Sequence, residues 1–82
     1  MLLKELLIFK FVFLRYENDK LEFWAEDASG YVDNVAYAGI YNEKDVIHFN
    51  LRCFTEQELK KNSYVKNKHF AVSVIDAIKY FM

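Results

Sequence analysis

Few residues in this chain could do chemistry. His48, Cys53 and His69 are its only soft metal ligands, and no two of them have the short spacing typical of a zinc site. Cys53 as a nucleophile would need an exposed, electropositive setting, whereas the alternation around it turns it inward between Arg52 and Phe54 as a core filler. There is no Ser-centred nucleophile elbow, and two glycines are too few for a glycine-rich phosphate loop. Glu22 and Glu26 share a strand face either side of Trp24, about 13–14 Å apart at a rise of ~3.4 Å per residue. That is too wide for either glycosidase geometry. The residues argue for a non-enzymatic protein with no cofactor and no metal.

What remains is recognition. Trp24 falls on the polar face of the second strand, and Tyr16 has the same parity on the first. Tyr37 and Tyr41 join them if the third strand turns Ala36, Ala38 and Ile40 toward the core. With Glu22, Glu26, Asp27, Asp33 and His48 around them, these residues have the composition of a protein-binding face, aromatic with a polar rim. The acids around Trp24 repel phosphate and favour a basic or neutral protein partner. If that partner normally holds nucleic acid, they imitate phosphate and block its basic groove, as a small phage- or plasmid-type inhibitor would. The alternative is a single-stranded nucleic-acid binder that stacks bases on Tyr16, Trp24, Tyr37 and His48 and grips phosphates with Lys60, Lys61, Lys66 and Lys68. A third reading is a dimer with a small-ligand pocket at its interface.

Charge is divided along the chain. The net charge of −1 is made of +2 over residues 1–15, −6 between Tyr16 and Asp45, and +3 from Val46 onward. One end of the domain is therefore expected to be acidic and the other mildly basic. Phe, Tyr, Ile, Lys and Asn, whose codons are AT-rich, far outnumber Gly, Ala, Arg and Pro, which points to an AT-rich source. Cys53 is alone, so no internal disulfide can form and a reducing compartment is favoured. The apolar run near the start is interrupted by Lys10 and is far shorter than the roughly 20 residues of a membrane helix. A cytoplasmic protein with no membrane contact is expected.

The elements that must position these residues read as strands first and helix last, in a single domain over residues 1–82, with 54% hydrophobic residues supplying one core. Leu7 to Tyr16 and Leu21 to Glu26 flank the turn cluster Glu17-Asn18-Asp19-Lys20 as a hairpin. Tyr31 to Asn42 is expected as a third strand, Asn42-Glu43-Lys44-Asp45 as a tight connection, and Val46 to Phe54 as a fourth strand with Ile47, Phe49, Leu51 and Cys53 on one face. Thr55-Glu56-Gln57-Glu58 has the form of a capping box, with Phe54 and Leu59 placed to staple it. Asn62-Ser63 or Asn67 can interrupt the helix that follows. From Phe70, a spacing of 100° per residue gathers Phe70, Ala71, Val74, Ile75, Ile78, Phe81 and Met82 within an arc of about 140°. The expected fold is α+β: a four-stranded antiparallel meander sheet with a C-terminal helix, continuous or broken, packed on one face.

Strand 1 is apolar on both faces. Phe9, Phe11 and Phe13 are expected to face the helix, leaving Ile8, Val12 and Leu14 with Lys10 on the other side. In a meander this strand lies at an edge, and a long apolar edge must be covered. A homodimer interface through Ile8, Lys10, Val12 and Leu14 is the expected cover.

Overall fold

Asn18 and Asp19 bend the chain as their types require. In the computed structural model, which describes residues 10–82, they sit at φ 54° and 61°, the left-handed region that Asn and Asp tolerate and that a two-residue hairpin loop needs. They join β1 (Lys10–Glu17) to β2 (Lys20–Trp24) as the expected antiparallel hairpin. β3 (Tyr31–Val32) continues the sheet beyond β2, and β6 (His69–Ser73) lies antiparallel along the other side of β1. β5 (Cys53–Phe54) is parallel to β6 at that edge, while β4 (Tyr41–Asn42) pairs with Lys10 and Phe11 of β1. The order β3-β2-β1-β6-β5, with β4 beside β1, is α+β as expected but mixed rather than an antiparallel meander.

The third and fourth expected strands are largely replaced by turns and a helix, for a local reason. Asn34 accepts a hydrogen bond from the Ala36 amide at 2.9 Å and caps a 3-10 turn over Val35–Tyr37. Asn42 to Asp45 is a capping box rather than a strand connection. The Asn42 side chain accepts from the Asp45 amide at 3.0 Å, and the Asp45 carboxylate accepts from the Asn42 amide at 3.1 Å. They start α1 (Glu43–His48). Of the expected third strand only Tyr31–Val32 and Tyr41–Asn42 pair as strands, and of the fourth only Cys53–Phe54; Cys53 is exposed rather than turned into the core. The period-2 pattern from Ile47 to Cys53 crosses a helix, a turn and a strand.

The second capping box is present as read. Thr55 Oγ1 accepts from the Glu58 amide at 3.3 Å, and Glu58 Oε1 accepts from the Thr55 amide at 3.0 Å. They start α2 (Glu56–Lys60), with Phe54 and Leu59 both in the core. Asn62, at φ 55°, ends this segment and leads into a 3-10 turn over Ser63–Lys66. The last helix begins later than its periodicity suggests. Phe70 and Ala71 belong to β6, and Ser73 accepts from the Asp76 amide at 3.2 Å to start α3 (Val74–Phe81). Ile78 and Met82, placed in the apolar stripe by periodicity, are exposed.

β1 is the middle of this sheet, which explains its two apolar faces. Val12 and Leu14 pack with Phe23, Phe54, Leu59, Phe70 and Ala77 under α2 and α3. Phe13 packs with Tyr41, Val46 and Ala71 under α1. Phe11 and Phe13 thus face α1, not the C-terminal helix, while Phe9 lies outside the described residues. Val12 and Leu14, expected at a dimer interface, are 2% and 0% exposed within a single chain. Edge pairing through them is unavailable, because β2 and β4 occupy one side of the strand and β6 the other. Lys10 remains exposed, and Ile8 lies outside the described residues. Among the described residues no helix is long and apolar enough to cross a membrane.

Candidate functional site

The hairpin register decides which aromatic residues share a face. It pairs Leu14 with Phe23 and Tyr16 with Leu21, so even positions of β1 share a face with odd positions of β2. Tyr16 and Trp24 therefore point to opposite faces, against the expectation from equal parity. Tyr16 packs on the helical side, its ring 5.4 Å from Tyr64 and its hydroxyl donating to Asp19 at 3.1 Å. Trp24 lies on the other side, edge-on to Phe49 at 5.1 Å and to Phe13 and His69 at 5.4 Å. Tyr41 is buried, Tyr37 is exposed on its turn, and His48 is exposed at the end of α1 with its ring 4.9 Å from Phe49. The expected platform of Tyr16, Trp24, Tyr37, Tyr41 and His48 does not assemble. Tyr16 and Trp24 are packed rings rather than open stacking surfaces.

A polar cluster that the sequence reading missed occupies the sheet beside Trp24. Arg15 Nη2 donates to Glu22 Oε1 at 2.6 Å, and Nη1 lies 3.5 Å from Glu17, whose other oxygen pairs with Lys68 at 2.9 Å. The guanidinium carbon stacks 3.6 Å above the Tyr31 ring, and the Tyr31 hydroxyl meets His69 Nε2 at 3.3 Å. Glu22 is thus a structural partner of Arg15, and its hydrogen bond favours the charged guanidinium. Cross-strand pairing of Arg15 with Glu22 could have been found from the hairpin register alone. Recruitment of His69, which lies 38 positions from Tyr31, had no local signal.

Partial burial, then the cations Lys68 and Arg15, hold His69 below its ordinary imidazole value, with Glu17 opposing them. A folded chain that binds this proton less readily than the unfolded chain loses stability as pH falls through about 6.5 toward the lowered value. Urea midpoints measured between pH 7.5 and 5 are expected to fall with acid in the wild type and to fall less in His69→Gln. Equal slopes in the two proteins would remove His69 as the cause. The Glu17 carboxyl, held down chiefly by its hydrogen bond with Lys68, titrates below this window.

The acidic residues are displayed on a fixed loop. Glu26–Ala28 forms a 3-10 turn between β2 and β3, with Asp27 and Ala28 at φ 56° and 54°, a conformation that costs of order 1–3 kcal/mol per non-glycine residue. Tyr41 holds it in place. Its hydroxyl donates to the Ala25 carbonyl and accepts from the Ala28 amide at 2.9 Å. Gly39 lies against the same backbone, and its amide donates to the Trp24 carbonyl at 2.9 Å. Tyr41→Phe keeps the ring and removes both bonds. Because the Ala28 amide also reaches the Ala25 carbonyl at 3.2 Å, a loss of about 1 kcal/mol is expected, with faster hydrogen exchange confined to residues 25–30.

Glu26, Asp27 and Asp33 are exposed and have no ion-pair partner among the described residues, whereas Glu17, Glu22, Glu56 and Glu58 are all paired. Tyr41 and Phe49 underlie the loop, and a groove of about 350 Å³ runs along it past Ile40 and Asp45. On the basic side, Lys60 pairs with Glu56 at 3.0 Å and Lys68 with Glu17. Partial burial, and then the Glu43 carboxylate, raise the Cys53 thiol above its ordinary value, so it is held as the less reactive thiol. Among the described residues no three His, Cys, Asp or Glu side chains converge as a metal site. Comparison with known protein families, curated proteins and solved structures finds no match to the chain.

Proposed function

We propose that this protein is a non-enzymatic binding module that captures a basic protein, or one with a basic nucleic-acid-binding surface, through its acidic edge. The observation that carries the reading is the set of exposed carboxylates of Glu26, Asp27 and Asp33, which pair with no cation among the described residues. A carboxylate neutralised by a cation of its own chain adds little to steering, whereas exposed ones of one sign accelerate and orient encounter with a cationic surface. Large apolar side chains stand exposed nearby in sequence, at Tyr37, Ile40, Ile47 and Phe49, and supply the desolvated contact that charge alone does not. Blocking a nucleic-acid-binding groove follows from the same chemistry, the carboxylates standing where phosphates would. A homodimer through strand 1 forms no part of this reading, since Val12 and Leu14 are core residues.

The test is capture from cells that naturally contain the protein. A tagged wild-type chain is expected to retain a basic partner at low salt and release it as salt rises. Joint Glu26→Lys, Asp27→Lys and Asp33→Lys substitution should abolish capture while the chain stays folded, with a modest fall in melting temperature from Lys at the left-handed Asp27 position, since all three residues are exposed and none holds an ion pair among the described residues. Partner retention by the triple variant would overturn the reading. So would tight, salt-sensitive binding of fluorescent single-stranded oligonucleotides by the wild type, which would establish direct nucleic-acid binding instead.

A further inference from the structure

Resting on that reading, we infer that the groove between the Glu26–Ala28 turn and the end of α1 is the seat of the partner, and that it takes a basic amphipathic peptide segment. An aliphatic side chain of the segment would lie between Ile40 and Phe49, and its lysine or arginine neighbours would meet Glu26, Asp27 and Asp45. Two properties of the groove select this occupant. Its apolar wall is open, with Ile40 56% and Phe49 40% exposed, whereas burial of such side chains is the ordinary source of binding energy. Its charged lining among the described residues is of one sign: Glu26, Asp27 and Asp45 contribute carboxylates, with no Lys or Arg beside them. A purely apolar partner would desolvate these carboxylates without compensation, and an acidic or nucleic-acid partner would be repelled. Only a segment that carries both aliphatic and cationic groups satisfies both parts of the lining.

The groove is also formed in advance. The two left-handed residues Asp27 and Ala28, the bonds from the Tyr41 hydroxyl and the capping box that fixes Asp45 hold the carboxylates in place. Little ordering therefore remains to oppose binding. The groove volume of about 350 Å³ lies at the small end of the range for ligand sites, about 300–1,000 Å³. It suits one or two side chains of a peptide rather than a whole cofactor.

Fluorescence anisotropy with two synthetic peptides tests this, one alternating lysine with leucine and one alternating lysine with serine. The wild type is expected to bind the lysine–leucine peptide at least about tenfold more tightly, since each buried aliphatic side chain is worth that much or more. Ile40→Ser should remove most of that preference. Glu26→Lys with Asp27→Lys should weaken binding of both peptides about tenfold, while the control Glu56→Lys, remote from the groove, changes it less than about twofold. Equal binding of the two peptides, or an equal loss in the control, overturns the groove assignment, because attraction would then be a matter of bulk charge. Retention of the captured cellular partner by Ile40→Ser, alongside its loss in the triple charge reversal, overturns the groove while leaving the binding-module reading in place. Survival of capture in both variants removes both.

Discussion

Phe13→Ala is expected to cost about 3–5 kcal/mol, the range for removing a fully buried phenylalanine. Phe13 is 0% exposed. Its ring stacks on Tyr41 with centroids 4.2 Å apart, and it meets Trp24 and Phe49 edge-on at 5.4 and 6.1 Å. It sits between the sheet and α1, so the cavity would open beneath the residues that support the acidic groove. A domain of this size has only about 5–15 kcal/mol of stability in total, and the variant should approach half-unfolding under mild conditions. Trp24, the only tryptophan, touches Phe13 and so reports the transition directly in a urea titration followed by fluorescence. A loss under about 1 kcal/mol would mean that Phe13 is not packed as described and that β1 is not covered on both faces.

Gly39→Val should be comparably damaging by the opposite route. A Cβ placed on Gly39 would lie 2.8 Å from the Glu26 Cα and 2.9 Å from the Ala25 carbonyl carbon and oxygen. These are backbone atoms of the strained acidic turn and cannot rotate aside as a side chain would. Overpacking typically costs about 1–3 kcal/mol and occasionally more; a branched side chain against backbone belongs at about 3 kcal/mol or above. The expected result is a lowered urea midpoint, with hydrogen-exchange protection lost first at Trp24–Gly30. Unlike Phe13→Ala, this substitution should also displace Glu26 and Asp27, so whatever variant remains folded should bind the lysine–leucine peptide poorly. Wild-type stability in Gly39→Val would show that the turn does not rest on Gly39.

Elements set by neighbouring residues could be read before the fold was seen. The Asn18-Asp19 turn, the hairpin it closes, the Thr55–Glu58 capping box and the break at Asn62 each rest on a few adjacent side chains and their nearest amides. Asn42–Asp45 has the same local logic, but its sequence also fits a strand connection. The alternating apolar pattern from Ile47 to Cys53 competed with it, and a short amphipathic run fits either period. His69–Ser73 failed for a related reason: Phe70, Ala71 and Val74 fit a helical stripe, and only insertion of β6 between β1 and β5 fixes them as extended.

Of the candidate site, the sequence determined the ingredients: an acidic middle segment, a cluster of aromatic residues beside it, and more apolar surface on strand 1 than one covered face can use. Composition and charge order belong to the chain itself and do not depend on packing. The tertiary structure decided where each ingredient went. By pairing even positions with odd ones, the hairpin register separated Tyr16 from Trp24, and Glu22 was bound to Arg15. Strand order put β1 in the centre, so that α1 on one face and α2 with α3 on the other take up the apolar surplus that had pointed to a second copy. Burial of Tyr41 under the Glu26–Ala28 turn left Ile40, Phe49 and the carboxylates of Glu26 and Asp27 facing outward together, with the half-buried Asp45 beside them. Such placements arise from pairings between distant segments, which local spacing does not encode.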